Sequence, residues 1–265
     1  MSKVFIGIPS GGSESTLFST LLMGIWVKSN NPDNSNSNSN PELTIEKVLS
    51  PYICRNRNDL VRMARAEGAT HLMFMDNDML LPEDVVSRLL GADKDVVCGN
   101  YVTKAVPARP MCIGFEGEYV YSTPKKEGLE RVYKAPTGCM LIKMEVFDRV
   151  ATPYFHVPPR GEDVYSVGGY ALREGGDGTL PVHPVHAWYL EQFDWNIWKN
   201  AGGEDYWFTH NCARAGVEVW VDHDLSKSVS HMGSYPYSML DAARTDNYTE
   251  NRFSAVKGLE YKRDG

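Results

Sequence analysis

The chain has 265 residues, with 27 Lys and Arg against 34 Asp and Glu and a formal net charge of −7. At that length one large domain is expected, and 42% apolar with 23% charged residues excludes a disordered or fibrous chain. The acidic balance speaks against broad, charge-driven binding to nucleic acid or anionic membranes, and no segment approaches the roughly eighteen apolar residues of a membrane span.

The elements follow in order. Val4–Ile8 is a short apolar run that ends at Pro9-Ser10-Gly11-Gly12, which predicts a buried strand entering a glycine-bearing loop. Leu17, Phe18, Leu21, Leu22, Ile25 and Trp26 recur at helical spacing, with Ser13 or Ser15 as a cap. Residues 29–42 are Asn or Ser at ten of fourteen positions, a composition that fills no core and predicts a disordered surface loop. Thr44–Leu49 alternates like a strand, and Asn56–Glu67 reads as a helix stopped by Gly68. His71–Met75 is a dense apolar run leading into Asp76-Asn77-Asp78. Pro82, Glu83 and Asp84 have the character of a helix first turn, with Gly91 at its end. Asp95–Gly99 supplies another buried strand, and residues 101–135 loosen into hairpin-like sequence rich in Gly, Pro and Tyr. Cys139–Met144 returns as a strand, Glu204–Ala215 as a helix before Gly216, and Val217–Val221 as a last strand. Strand–helix alternation of this kind predicts an α/β fold with a mostly parallel central sheet covered by helices on both faces. The five Cys, at 54, 98, 112, 139 and 212, include no CxxC pair, and the N-terminus lacks the features of a secretory leader. Both imply free thiols and a cytoplasmic location.

Open α/β sheets bind ligands beyond the carboxyl ends of their strands, and Asp76 and Asp78 stand at such an end. Two carboxylates one residue apart there can share a hard divalent cation with the oxygens of a nucleotide diphosphate. The pattern D-x-D recurs at Asp93/Asp95, in a turn, and at Asp222/Asp224, after a strand, so the spacing alone decides little. Glu204 and Asp205 open a helix, where acidic residues complement the dipole, or serve as a general base facing the cleft. His231 sits in Ser-His-Met-Gly shortly after a strand. The other histidines, His71, His156, His183, His186, His210 and His223, read as surface or satisfied core residues. His183 and His186 have zinc-like spacing but no further ligand in pattern.

In this combination the chain resembles the GT-A superfamily of nucleotide-sugar glycosyltransferases, in particular the family 2-like enzymes of bacteria and phages. The resemblance lies in VFIGIPSGG (4–12), ICRNRNDLV (53–61), THLMFMDNDMLLPEDV (70–85), APTGCMLIKMEVFDRV (135–150) and GEDYWFTHNCARAGVEVWVDHDLSKSVSHMG (203–233). It implies a single Rossmann-like GT-A domain over 1–265, with a nucleotide-binding half at 1–100 and an acceptor-binding half at 101–265. It further implies that Pro9, Ser10, Arg57, Asn58, Asp76, Asn77 and Gly138 line the donor site, with Arg57 reaching the diphosphate. Asp78, with Asp76 and His231, would hold a metal ion, Mn²⁺ or Mg²⁺, and the histidine favours Mn²⁺. Glu204 and Asp205 match the acidic pair near the acceptor, Asp205 being the base of an inverting transfer. The donor expected is a nucleotide-diphosphate sugar, UDP-sugars first. The acceptor is a hydroxyl on a glycan, lipid, protein or modified DNA base.

Tyr154, Phe155, Trp188, Tyr189, Phe193, Trp195, Trp198 and Trp207 form an aromatic group that reads either as core or as a stacking platform for a sugar ring or base. Two other functions compete. A sugar nucleotidyltransferase needs a basic glycine-rich loop after the first strand, and here that loop is Ser-Gly-Gly-Ser-Glu-Ser. A non-catalytic carbohydrate-binding or assembly protein would keep the fold without needing Asp78.

Overall fold

A computed structural model describes residues 2–12, 16–29, 41–156, 164–167, 170–173 and 203–242. The expected loop at 29–42 lies almost wholly outside these residues, as do His183, His186 and the aromatics at 188–198.

Seven strands form the central sheet: β1 (Lys3–Ser10), β2 (Glu42–Leu49), β3 (His71–Met75), β5 (Val96–Gly99), β6 (Leu129–Val132), β7 (Cys139–Lys143) and β10 (Val219–Asp222), in the order β2-β1-β3-β7-β5-β10-β6. Five run parallel to one another, while β7 is antiparallel to both its neighbours and β6 is antiparallel to β10. The mixed α/β, mostly parallel sheet is as the alternation predicts. The position of β7 is not, because it inserts between β3 and β5 instead of following them.

Alternation along each strand sorts the core into two layers. Phe5, Leu72, Phe74, Val96, Cys98, Met140, Ile142, Val219 and Val221 face one side, where they meet α2 (Ile53–Ala66), α4 (Val146–Arg149) and α5 (Glu204–Arg214). Val4, Ile6, Ile8, Met73, Met75, Val97 and Leu141 face the other, against α1 (Thr16–Ser29), α3 (Val85–Gly91) and α6 (His223–Ser226). Helix α1 buries Phe18 and Ile25, while Leu17 and Trp26 are about half exposed at 50% and 48%.

Two smaller sheets escape the sequence pattern. The short strand β4 (Met79–Leu80) pairs with β11 (Ser230–Met232), which pairs with β12 (Pro236–Tyr237). The backbone of Val164–Val167 (β8) and Tyr170–Arg173 (β9) forms a hairpin. No described helix is long and apolar enough to cross a membrane, and all five cysteines are free thiols.

Candidate functional site

The carboxyl ends of β1 and β3 open onto one cleft. Because β7 runs antiparallel, its amino end arrives there too, and the Asp76 amide donates to the Gly138 carbonyl at 3.1 Å. Helix α5 delivers Glu204 and Asp205 in its first turn. The preceding Gly203 has φ +109°, a backbone conformation that favours glycine.

Arg57, on α2, is the hub of this cleft. Its side chain is 2% exposed, with Nη1 3.0 Å from Asp76 Oδ1, Nε 3.2 Å from Glu204 Oε1 and Nη2 3.6 Å from Asp205 Oδ1. Nη2 also donates to Asp76 Oδ2 at 3.1 Å, and the guanidinium lies over the Phe74 ring at 5.3 Å. Burial works against its charge, but the three carboxylates, Asp76 foremost, override that and raise its pKa. Engaged in this way, Arg57 holds the three acidic residues together, its Nη1 ion-paired with Asp76 but making no hydrogen bond.

Asp205 carries the strongest perturbation among the acids. Burial, with Glu204 and Asp76 adding to it, pushes its carboxyl up to about 7, against the opposing pull of Arg57 and of a hydrogen bond from Thr137. That bond, from Oγ1 to Oδ1, measures 2.6 Å, and Thr137 is fully buried.

Gly138 lies where no side chain fits. A Cβ there would stand 2.6 Å from the Tyr101 hydroxyl and 3.0 Å from Asp76 Oδ2. The Gly138 amide donates to that hydroxyl at 3.1 Å. On its other flank the Tyr101 ring meets His231 edge-on, 5.0 Å between centroids. Tyr101 therefore separates the Arg57 cluster from a second group, Asp78 with His231.

The pairing of β4 with β11 sets His231 opposite Met79, next to Asp78. His231 Nδ1 lies 2.8 Å from the Val102 carbonyl, which can only accept, so Nδ1 carries a proton. Nε2 is thereby turned to Asp78 Oδ2, at 3.4 Å. Lys104 Nζ reaches the same oxygen at 2.5 Å. Burial opposes the charge of Asp78, yet hydrogen bonds from His231 and Lys104 hold its carboxyl down at about 2.

Among the described residues no three of His, Cys, Asp and Glu gather closely enough to hold a metal ion by themselves. The Asp76 carboxylate is engaged by Arg57 through both of its oxygens. Asp78 and His231 bring together two ligand atoms, one carboxylate oxygen and one imidazole nitrogen.

The other expected donor residues divide into two groups. Ser10 and Asn77 knit the loops together, with Asn56, which no expectation singled out: Asn77 Nδ2 donates to Ser10 Oγ at 3.1 Å, and Asn56 Nδ2 to the carbonyls of Ser10 and Ser50 at 3.2 and 2.9 Å. Pro9 continues β1 in register with Val48. Asn58 is committed elsewhere. Its Nδ2 donates to the carbonyls of Cys54 and Phe155 at 2.7 and 2.8 Å, and its Oδ1 accepts from the amides of Tyr154 and Phe155 at 3.1 and 3.3 Å. These contacts anchor a loop.

The rival acidic pairs have structural work. Asp93 and Asp95 form ion pairs with Lys143 at 3.1 and 3.5 Å, while Asp222 caps α6 by accepting from the Leu225 amide at 2.8 Å. His223 is a satisfied core histidine, held between Ser122 Oγ and Glu130 Oε2 at 2.8 Å each. Of the aromatic group, Phe155 stacks on Phe208 at 4.9 Å, and Trp207 is 4% exposed with Nε1 donating to the Pro153 carbonyl, so both belong to the core. A cavity of about 210 Å³ lined by Tyr121, Pro124, Met239 and Leu240 lies apart from the cleft residues. Lys104 and Tyr101 lie in no sequence motif, and Thr137 lies in the segment 135–150 without standing out there, since each acts through a contact made only in the folded chain.

No family model matches the chain. No curated protein matches it either. Among solved structures the chain is similar to one described as "Crystal Structure of A197 from STIV", with 18% identity, coverage of 88% of this chain and 86% of that one, and a TM-score of 0.49.

Proposed function

We propose that the chain is a glycosyltransferase that moves a sugar from a nucleotide-diphosphate sugar to an acceptor hydroxyl. The observation that carries this reading is the environment of Asp205, a desolvated carboxylate pushed up to about 7 and held by Thr137 beside Arg57 in the cleft at the strand ends. A general base is most effective when its pKa lies near the working pH, and burial with Glu204 and Asp76 beside it shifts Asp205 in that direction. In its ionised form Asp205 takes the proton of the acceptor hydroxyl as that oxygen bonds to the anomeric carbon. The bond from that carbon to the diphosphate breaks, and the diphosphate leaves with the electron pair. Arg57 keeps Asp205 and Glu204 oriented and limits their mutual repulsion. The bare backbone of Gly138 lets the Tyr101 hydroxyl and the Asp76 carboxylate pack directly against it, which fixes both at the edge of the Asp205 cluster.

Asp78 and His231 would hold a divalent cation. When bound, such an ion neutralises charge on the departing diphosphate. The residues suit Mn²⁺ better than Mg²⁺ because one ligand is an imidazole.

Incubation with Mn²⁺ and a panel of UDP-, GDP- and dTDP-sugars tests the proposal. Donor hydrolysis or a donor-dependent rise in melting temperature is expected for at least one sugar nucleotide, and Asp205→Asn should abolish hydrolysis while preserving the thermal response. Silence toward every donor with metal present refutes it. The nucleoside, sugar and acceptor are then read from the panel.

A further inference from the structure

Asp78 Oδ2 is claimed twice. His231 Nε2 faces it at 3.4 Å, and Lys104 Nζ holds it at 2.5 Å. The lysine is not a loose surface side chain that happens to fall nearby. It projects from the base of a hairpin closed by the Thr103 amide donating to the Arg109 carbonyl at 2.9 Å and by the Val102–Pro110 bridge. Its stem passes over Gly233, where an added Cβ would stand 3.3 Å from Lys104 Cγ and Cδ and 2.8 Å from the Tyr237 ring. The bare backbone of Gly233 thus gives the lysine a track toward Asp78. Lys104 and Asp78 are each only about one-third exposed, at 38% and 35%.

An ion shared by Asp78 and His231 has to use the carboxylate oxygen that faces Nε2, and that oxygen is the one Lys104 occupies. We infer that Lys104 is a tethered cation that competes with the divalent ion for Asp78. The ammonium satisfies the carboxylate in the resting cleft and must be drawn off before the ion can be held. Phosphate oxygens of an arriving diphosphate are the groups on hand to draw it, so ion and donor enter together. Lys104 thereby becomes a donor-binding residue and keeps the free cleft from holding a metal ion tightly. Only the identity of the ion and of the diphosphate rests on the glycosyltransferase reading; the competition itself rests on the Lys104–Asp78–His231 geometry.

The test uses Mn²⁺ alone with the full chain, following free Mn²⁺ by electron paramagnetic resonance during titration. Removing one positive charge a few ångströms from a divalent ion changes affinity by about tenfold at a solvent-bounded site. Lys104→Met should therefore bind Mn²⁺ about tenfold more tightly than the wild-type chain. Lys104→Arg, which keeps the charge, should stay near wild type, and adding Asp78→Asn to Lys104→Met should remove the gain. The inference is overturned if Lys104→Met binds no more tightly than wild type, or if its gain survives loss of the Asp78 charge. Turnover of a sugar nucleotide without tighter Mn²⁺ binding by Lys104→Met defeats this inference alone. The expected Mn²⁺ behaviour without any response to donors defeats the glycosyltransferase reading alone.

Discussion

Replacing Arg57 by Met leaves Asp76, Glu204 and Asp205 gathered in a largely buried cluster without their shared counter-ion. In the native chain the guanidinium stands 3.0, 3.2 and 3.6 Å from the three carboxylates, whose side chains are 22%, 13% and 17% exposed. Breaking a buried ion pair by removing one partner costs about 3–5 kcal/mol, because a charge is left uncompensated. Methionine retains much of the stem that packs over Phe74, so the loss should come mainly from electrostatics. At about 2–4 °C per kcal/mol for a domain of this size, the melting temperature should fall by roughly 10 °C near pH 8. The sign of the pH dependence is fixed. Asp205 already sits above its ordinary value of 3.8 at about 7, and loss of Arg57 raises it further. A carboxyl whose folded-state pKa is raised disfavours the native state once it ionises, so the share of the deficit carried by Asp205 is full above the variant's raised pKa and closes as pH falls to about 7, where this carboxyl becomes protonated in both folded chains. Urea unfolding of wild type and Arg57→Met across that range measures the difference directly. A loss below about 1 kcal/mol at pH 8, or one that does not narrow on acidification, would show that Arg57 is not the counter-ion of this cluster.

Three further outcomes are expected. Thr137→Val removes a hydrogen bond that favours the ionised form of Asp205, and at 1.36 kcal/mol per pKa unit the acidic limb of the pH–rate profile for donor hydrolysis should move up by about one unit; an unmoved limb removes Asp205 from the role of base. Gly138→Ala places a methyl 2.6 Å from the Tyr101 hydroxyl. Thermal stability should fall by about 1–3 kcal/mol with loss of turnover, and Gly138→Ala combined with Tyr101→Phe should recover part of that stability. Asn58→Ala should destabilise by about 1–3 kcal/mol through the loop at 154–155 while leaving the Michaelis constant for the sugar nucleotide unchanged; a raised Michaelis constant at unchanged stability would instead return Asn58 to the donor site.

The fold was legible wherever burial on both faces leaves a continuous apolar run. Val4–Ile8, His71–Met75 and Val96–Gly99 are such runs, and each is a central strand. Direction was not legible, because a run such as Cys139–Lys143 is equally apolar whichever way it lies, and only pairing shows β7 to be antiparallel. The edge strand β6, Leu-Glu-Arg-Val, was hidden in turn-rich sequence because a half-solvated edge has no apolar period to display. At the cleft, residue type and place pointed to Asp76, Asp78, Glu204 and Asp205, since open α/β sheets bind ligands at the carboxyl ends of their strands and an acidic pair opening a helix can face the same point. At Arg57 and Asn58 residue type could not reveal the partners that the fold supplies. An arginine beside a cleft reads as a phosphate ligand, and nothing local reveals that three carboxylates, two of them 147 and 148 positions onward, will claim it. Lys104 belonged to no pattern at all, and its partner is set by the hairpin it stands on.

The insertion of β7 between β3 and β5 also governs the order in which the sheet can be completed. Until residues 139–143 arrive, β3 and β5 each lack a partner on the side that β7 fills, and apart from His71 they carry no ionisable side chain but the Cys98 thiol. A chain emerging from synthesis passes through a stage at which its two most adhesive borders are open. Once β7 fills the gap and β10, later in the chain, joins β5 to β6, the borders of the seven-stranded sheet are β2 and β6. There Glu42, Glu46, Lys47, Glu130 and Arg131 interrupt the strands with charge, and such borders resist pairing with another chain. The same closing strand carries Thr137 and Gly138 to the cleft. Joining β3 to β5 and bringing Thr137 and Gly138 to the proposed active centre are one folding event.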